Sequence, residues 1–145
     1  MQLIVTALVR REGQLLLVEE IEPGDPGPTW MLPGGKAEPN ETLIEALRRE
    51  LAEETGMGLV GSPVIAFAID ITAPEGRYSA ITFDCEVDGS LAPDDPAGLV
   101  LSAAWLPTDE ALARLACVIW YDCAPLERFL SGEGPPGAAY VAYRT

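Results

Sequence analysis

Glu50, Glu53 and Glu54, with Arg49 beside them, are the residues of this chain best placed to do chemistry. They sit in Glu41–Thr55, where Leu43, Leu47 and Leu51 recur every four positions with Ile44 alongside. That period predicts an amphipathic helix, with Asn40 as N-cap, Glu41 in the first turn and Gly56 as the C-cap glycine. At about 100° per residue, Glu54 points between two core leucines and Glu50 lies at the edge of the same arc. Arg48 and Ala52 occupy the opposite side. The acids repel one another: like charges at i,i+3 and i,i+4 cost roughly 0.2–0.5 kcal/mol a pair. The helix dipole disfavours them near the C-terminus by roughly 0.3–1 kcal/mol more. Arg49 can relieve Glu45 or Glu53 but points away from Glu54. A hard divalent cation with oxygen ligands is the natural partner for Glu50 and Glu54. The plainer alternative is a chance acidic cluster on a surface helix, and the place of Glu54 on the buried arc weighs against it.

Composition narrows the chemistry further. The 145 residues include nine basic and 23 acidic ones, a formal charge of −14, and no histidine. Without imidazole there is no default general base and no Ser–His or Cys–His nucleophile pair. Carboxylates, arginine, hydroxyls, metal ions and water are what remain. The acidic surface repels nucleic-acid backbones and anionic lipid, so neither a nucleic acid polymer nor a membrane is an expected partner. A small phosphorylated ligand arriving with divalent cations is compatible with it. Apolar residues make up 48% of the chain, as in a globular protein. No apolar stretch approaches the roughly 18 residues of a membrane span. Met1–Val9 has no leading positive charge, so no signal peptide is expected. Cys85, Cys117 and Cys123 are too few for a disulfide framework and read as small buried thiols in a reducing cytoplasm.

From Gly35, five residues lead to Glu41 and seven more to Arg49, followed by Glu50-Leu51-Ala52-Glu53-Glu54-Thr55-Gly56-Met57. This resembles the signature of the Nudix (MutT-like) hydrolases, G-x5-E-x7-R-E-U-x-E-E-x-G-U with U aliphatic. Every fixed position of that box (35–57) is filled, and the approach Trp30-Met-Leu-Pro-Gly-Gly35 is similar as well. The resemblance implies an α/β fold, an α/β/α sandwich with a mixed β-sheet, in which the box forms a loop-helix-loop. It also implies Mg2+- or Mn2+-dependent hydrolysis of a nucleoside diphosphate linked to another moiety. Carried over by position, Glu50 and Glu54 become metal ligands and Glu53 a further ligand or water-orienting base. Arg49 pairs with a box glutamate, and Glu41 ties the loop to the helix. Gly34 and Gly35 allow the tight turn, and the Gly35 carbonyl is an extra ligand.

Some relatives of this kind take the base from a later loop, shortly before a strand that ends in Trp. Gly98–Trp105 contains no acid, so Asp94 and Asp95 are the nearest candidates and the base stays open between them and Glu53. Such chemistry suits a chain without histidine, because metal ions neutralise phosphate charge and acidify water while the protein supplies geometry. Lys36, the single lysine, is either a phosphate contact or a solvated loop charge. Trp30, Phe67, Tyr78 and Phe83 are candidates to stack a base, and Arg77 to steer a phosphate. The substrate class stays open among nucleoside triphosphates, ADP-ribose-like diphosphates and nucleotide sugars. A monophosphate- or isopentenyl-type specialist is a second enzyme reading. A non-catalytic nucleotide-sensing or partner-binding module is the alternative, and loss of a box glutamate would favour it. The resemblance also admits a homodimer.

The elements around this helix are read from local pattern. A single domain over 1–145 is expected from length. Leu3–Arg10 and Gln14–Glu20 form a hairpin, and Glu22–Pro28 is a Pro/Gly loop leading to a short extended stub, Trp30–Leu32. Val64–Thr72, Tyr78–Val87, Leu99–Leu106 and Ala138–Tyr143 read as strands. Helices are expected from Thr108, as cap, to about Ala116, and over Tyr121–Leu130.

Overall fold

The computed structural model describes residues 1–145. In chain order it contains β1 (Gln2–Arg11), β2 (Gln14–Glu20), β3 (Thr29–Met31), β4 (Gly34–Lys36), α1 (Leu43–Thr55), β5 (Gly58–Ala73) and β6 (Gly76–Asp88). β7 (Val100–Pro107), α2 (Thr108–Ala116), α3 (Ala124–Ser131) and β8 (Ala138–Tyr143) complete it. The strands form an eight-stranded mixed sheet in the order β3-β2-β1-β6-β5-β8, with β4 also on β1 and β7 also on β2. The β1–β2 hairpin turns on Glu12 and Gly13, both at positive φ. Only two register pairs hold it, Arg10 with Leu15 and Arg11 with Gln14. Beyond them the strands part, β1 joining β4 and β6 while β2 joins β3 and β7. The short segment from β3 to β4 therefore bridges the two halves of the sheet.

Side-chain alternation explains the layers. Val5, Ala7, Val9 and Leu16 pack with Leu47, Leu51 and Phe83 in one apolar cluster. Leu8, Leu15, Leu17 and Phe67 pack with Leu115 and Leu126 in the other. Each strand of the β1–β2 pair feeds both clusters, which is why its sequence is apolar throughout rather than alternating. With α1 on one face and α2 and α3 on the other, the fold is an α/β/α sandwich. No helix is long and apolar enough to cross a membrane.

Several local expectations need correction. α1 begins at Leu43, capped by Thr42, whose hydroxyl accepts the Glu45 N–H (3.1 Å). Asn40 and Glu41 stay outside the helix, because Glu41 instead closes a turn with Glu38. Thr108 lies inside α2 and does not cap it; its hydroxyl donates to the Gly13 carbonyl (3.0 Å). α3 starts at Ala124 rather than Tyr121, since Pro125 fits a first turn, where its missing N–H is not needed. Phe67 and Phe83 are core residues, 1% and 4% exposed, and cannot stack a ligand. Among the thiols only Cys85 is buried; Cys117 is exposed and Cys123 half-buried.

Candidate active site

Two elements meet at the box: the inner face of α1 and the β4 strand held on β1. Glu54 is 6% exposed, and its Oε1 accepts the Gly34 N–H at 2.7 Å. Burial pushes its carboxyl up to about 9; the Gly34 N–H opposes the shift, while Glu50, Glu20 and Asp95 add to it by repulsion. Glu50 lies over Gly35 so closely that a Cβ there would stand 2.6 Å from Glu50 Oε1. Its carboxyl is also raised, by burial against the pull of Arg49.

Arg49 ties these parts together. Its Nε and Nη2 donate to the two oxygens of Glu41 (2.7 and 2.9 Å), a fork-to-fork pair. Nη1 donates to Glu50 Oε1 (2.9 Å) and reaches Glu53 Oε2 at 3.4 Å, while Nη2 also donates to the Lys36 carbonyl (3.1 Å). The Arg49 bonds, helped by the Glu38 N–H, hold the Glu41 carboxyl down at about 2. Of the i±4 partners open to Arg49 the structure uses Glu53 and not Glu45, which is exposed. No part of Arg49 bonds Glu54.

Sequence reasoning missed Glu20. It ends β2 where the pairing with β7 slips between Glu19 and Glu20, the kind of irregularity that re-aims a side chain. Burial pushes its carboxyl to about 7, with repulsion from Glu22, Glu50, Asp25 and Asp95. Alternation from Leu16 puts Glu20 on the α1 side, but nothing local says that α1's acids lie there. The loop after β6 also arrives from a distance. Ala92 N–H donates to the Thr55 carbonyl (2.8 Å) and Asp94 N–H to the Glu53 carbonyl (2.9 Å). Asp95 accepts three amides, from Ala97, Leu99 and Val100. Its oxygens are occupied by the loop, and the Asp94 side chain is exposed.

The remaining expected residues are spread more widely. Lys36 is exposed beside the box, in register with Ile4. Gly56 is the left-handed C-cap of α1. Trp30, opposite Glu19, faces α2, where it lines a groove of ≈ 530 Å³ with Glu110, Arg114 and Cys117. The Arg114 guanidinium stands over its ring at 5.3 Å. Arg77 pairs with Asp70 (2.9 Å) on the exposed β5–β6 hairpin, and Tyr78 stands opposite Gln2. Gly34 stands opposite Thr6 on the same strand, so Tyr78 lies roughly 13 Å along the sheet from it at about 3.3 Å per residue. The fold does not gather Arg77 and Tyr78 with the carboxylates.

The donor set of Glu50, Glu53, Glu54 and the Gly35 carbonyl is all oxygen, as hard divalent cations require. No three acids converge on one point in this arrangement. Arg49 holds Glu50, and the Gly34 N–H holds Glu54. The desolvated, mutually repelling acids fit a cation chemically, and Glu50 would have to loosen its Arg49 bond to hold one. A pH dependence follows for the metal-free chain. Glu54 and Glu20 keep protons in the fold that the unfolded chain releases above its ordinary value of 4.5. Their stabilising contribution is full below about 4.5 and is lost as pH rises through 7 for Glu20 and 9 for Glu54. The depressed Glu41 acts only below 4.5, outside this window. Melting in chelator should therefore fall steadily from pH 5.5 to 8.5; a flat profile would contradict the burial of these two acids.

Comparison with known proteins agrees with this geometry. A family model described as the NUDIX domain matches residues 2–121. A MutT-like protein of Streptomyces ambofaciens is 30% identical over 139 residues, covering 91% of this chain and 78% of that protein. The CTP pyrophosphohydrolase of Escherichia coli is 41% identical over 54 residues, 37% of this chain, and the match spans only 40% of the relative's length. Among solved structures, a NUDIX hydrolase from Nitrosomonas europaea superposes with a TM-score of 0.77 at 27% identity, covering 93% of this chain and 92% of that one.

Proposed function

The chain belongs to the NUDIX family, and from that premise we propose that it hydrolyses a phosphoanhydride bond in a nucleoside di- or triphosphate derivative. The observation that carries this reading is Glu54, a carboxyl group buried inside a complete box with no arginine or lysine paired to it and a backbone N–H on one oxygen. The carboxylates Glu50 and Glu54 and the Gly35 carbonyl would hold Mg2+ or Mn2+. Such an ion, when bound, neutralises phosphate charge and acidifies water. Glu53 would be the box acid left to accept a proton from water. Its contact with Arg49 is long (3.4 Å), its side chain is 29% exposed, and the alternative Asp95 is occupied by amides. Arg49 keeps α1 and the box loop in one register through Glu41, so that phosphate, water and Glu53 meet in a fixed geometry. Lys36, exposed at the end of β4, would meet a phosphate. All box acids are present, which speaks against a purely sensing module. The free cysteines suit a reducing compartment, and we assign the chain to the cytoplasm on that ground.

A nucleotide panel assayed for phosphate, pyrophosphate or nucleoside monophosphate release, with Mg2+ or Mn2+ and with chelator, tests the proposal. Metal-dependent release from at least one nucleotide is the expected result; none across triphosphates, dinucleotide-type diphosphates and nucleotide sugars would refute it. Millimolar Mg2+ should also raise the melting temperature, since an ion that binds only the fold stabilises it by mass action.

A further inference from the structure

The segment from Ala92 to Val100 links two ends of the site that are far apart in sequence. At one end, Ala92 and Asp94 donate to the carbonyls of Thr55 and Glu53 (2.8 and 2.9 Å). These are among the last carbonyls of α1, which have no partner within the helix. The seat is tight: a Cβ on Gly56 would overlap the Ala92 carbonyl. At the other end, the Leu99 carbonyl accepts the Ile21 N–H (3.0 Å), beside Glu20 at the close of β2. Between the two ends the chain has no helix or strand to stiffen it. The Gly98 N–H to Asp95 carbonyl bond (3.0 Å) closes one turn, and the Asp95 side chain supplies the rest of the order. Asp95 accepts Leu99 N–H (2.8 Å) and Val100 N–H (3.1 Å) on Oδ2, and Ala97 N–H (3.2 Å) on Oδ1.

We infer that Asp95 is a positioning residue: it locks 92–100 into a strap that holds the last turn of α1, and with it Glu53 and Glu54, against the end of β2. Hydrogen bonds to an ionised acceptor are the strong class, and three on one carboxylate over-determine the loop. A frayed strap frees the Glu53 and Thr55 carbonyls and lets the final helical turn move. Misplacement of about 1 Å at a reacting centre costs on the order of 10²-fold in rate. The role in turnover rests on the hydrolase reading above, whereas the strap itself does not.

The test compares Asp95→Ala and Asp95→Asn in the full chain, below their melting temperatures. Amide hydrogen exchange is followed at Ala92 and Asp94, alongside kcat and KM on whichever panel nucleotide turns over. Asp95→Ala should speed exchange at both amides by about tenfold or more and lower kcat by on the order of 10²-fold with KM nearly unchanged. Asp95→Asn keeps an acceptor oxygen and should recover most of both. Faster exchange with normal kcat would overturn the positioning role. Lost kcat with exchange unchanged, in both variants alike, would overturn it too and mark the charge as acting directly. Failure of the unsubstituted chain to hydrolyse any nucleotide would sink the hydrolase reading instead, and unaltered exchange in Asp95→Ala would still overturn the strap.

Discussion

Glu54→Gln should lower metal-dependent turnover by roughly 10²–10³-fold while the metal-free protein melts at or above the temperature of the unsubstituted chain. The rate loss follows from removing one anionic oxygen from the proposed ion site, where several kcal/mol of charge stabilisation is at stake and each ~1.4 kcal/mol is tenfold. The stability gain follows from burial. Glu54 is raised to about 9, so at neutral pH the fold withholds a proton-release that the unfolded chain enjoys. At ~1.4 kcal/mol per pKa unit above the ordinary value, that penalty is on the order of 3–4 kcal/mol near pH 7. Glutamine keeps an oxygen for the Gly34 N–H and carries no charge to desolvate. The substitution should also abolish the Mg2+-induced rise in melting temperature. A variant that retains most of its activity, or that still gains stability from Mg2+, would remove Glu54 from the ion site.

The adjacent glycines should separate fold from function. Gly34 has φ +156°, and a Cβ there would overlap the Val5 carbonyl and stand 2.8 Å from Thr6 Cα. Those are backbone atoms of β1, held by the parallel ladder to β6, so they cannot yield cheaply. Gly34→Ala should cost about 2–4 kcal/mol, from overpacking and forced backbone strain together. It should appear as a lower denaturant midpoint. At Gly35 the Cβ would meet only the far end of Glu50, at 2.6 Å from Oε1 and 2.9 Å from Cδ. That side chain can turn away, so Gly35→Ala should leave the unfolding free energy within about 1 kcal/mol of the unsubstituted protein. Displacing a proposed ligand should nevertheless lower turnover by roughly 10²-fold. Equal stability losses at both positions would contradict the close fit of β4 on β1; normal activity in Gly35→Ala would show that Glu50 is not needed where it stands.

The pattern of agreement has a physical origin. Helix α1, its inward arc and the Gly56 cap were legible because they depend on spacings of three and four residues and on one left-handed turn. The cap was misread by two positions because Asn40 and Thr42 are both good caps, and only the Glu38–Glu41 turn excludes the first. β4 was invisible for the opposite reason. Gly-Gly-Lys has no strand propensity of its own, and it is extended because β1 pairs with it. Phe67 and Tyr78 look alike as aromatic residues in strands, and only the packing of α3 over β5 makes one of them core.

What the sequence alone determined is a set of candidate reacting groups and their order along one helix: Arg49, Glu50, Glu53 and Glu54 on a box opened by Gly35. With no histidine present, carboxylates, arginine, hydroxyls, metal ions and water are the chemistry the sequence leaves open. The tertiary structure decided which of those charges are answered. Arg49 reaches Glu41 and Glu50 but not Glu54, and Glu20 joins the buried acids from β2. Asp95 gives its oxygens to the amides of its own loop. Glu20 and Glu54 are far apart in the chain and meet because of where strands part and which helix covers them. A helical period fixes a side chain's direction; only the packed fold determines what waits there.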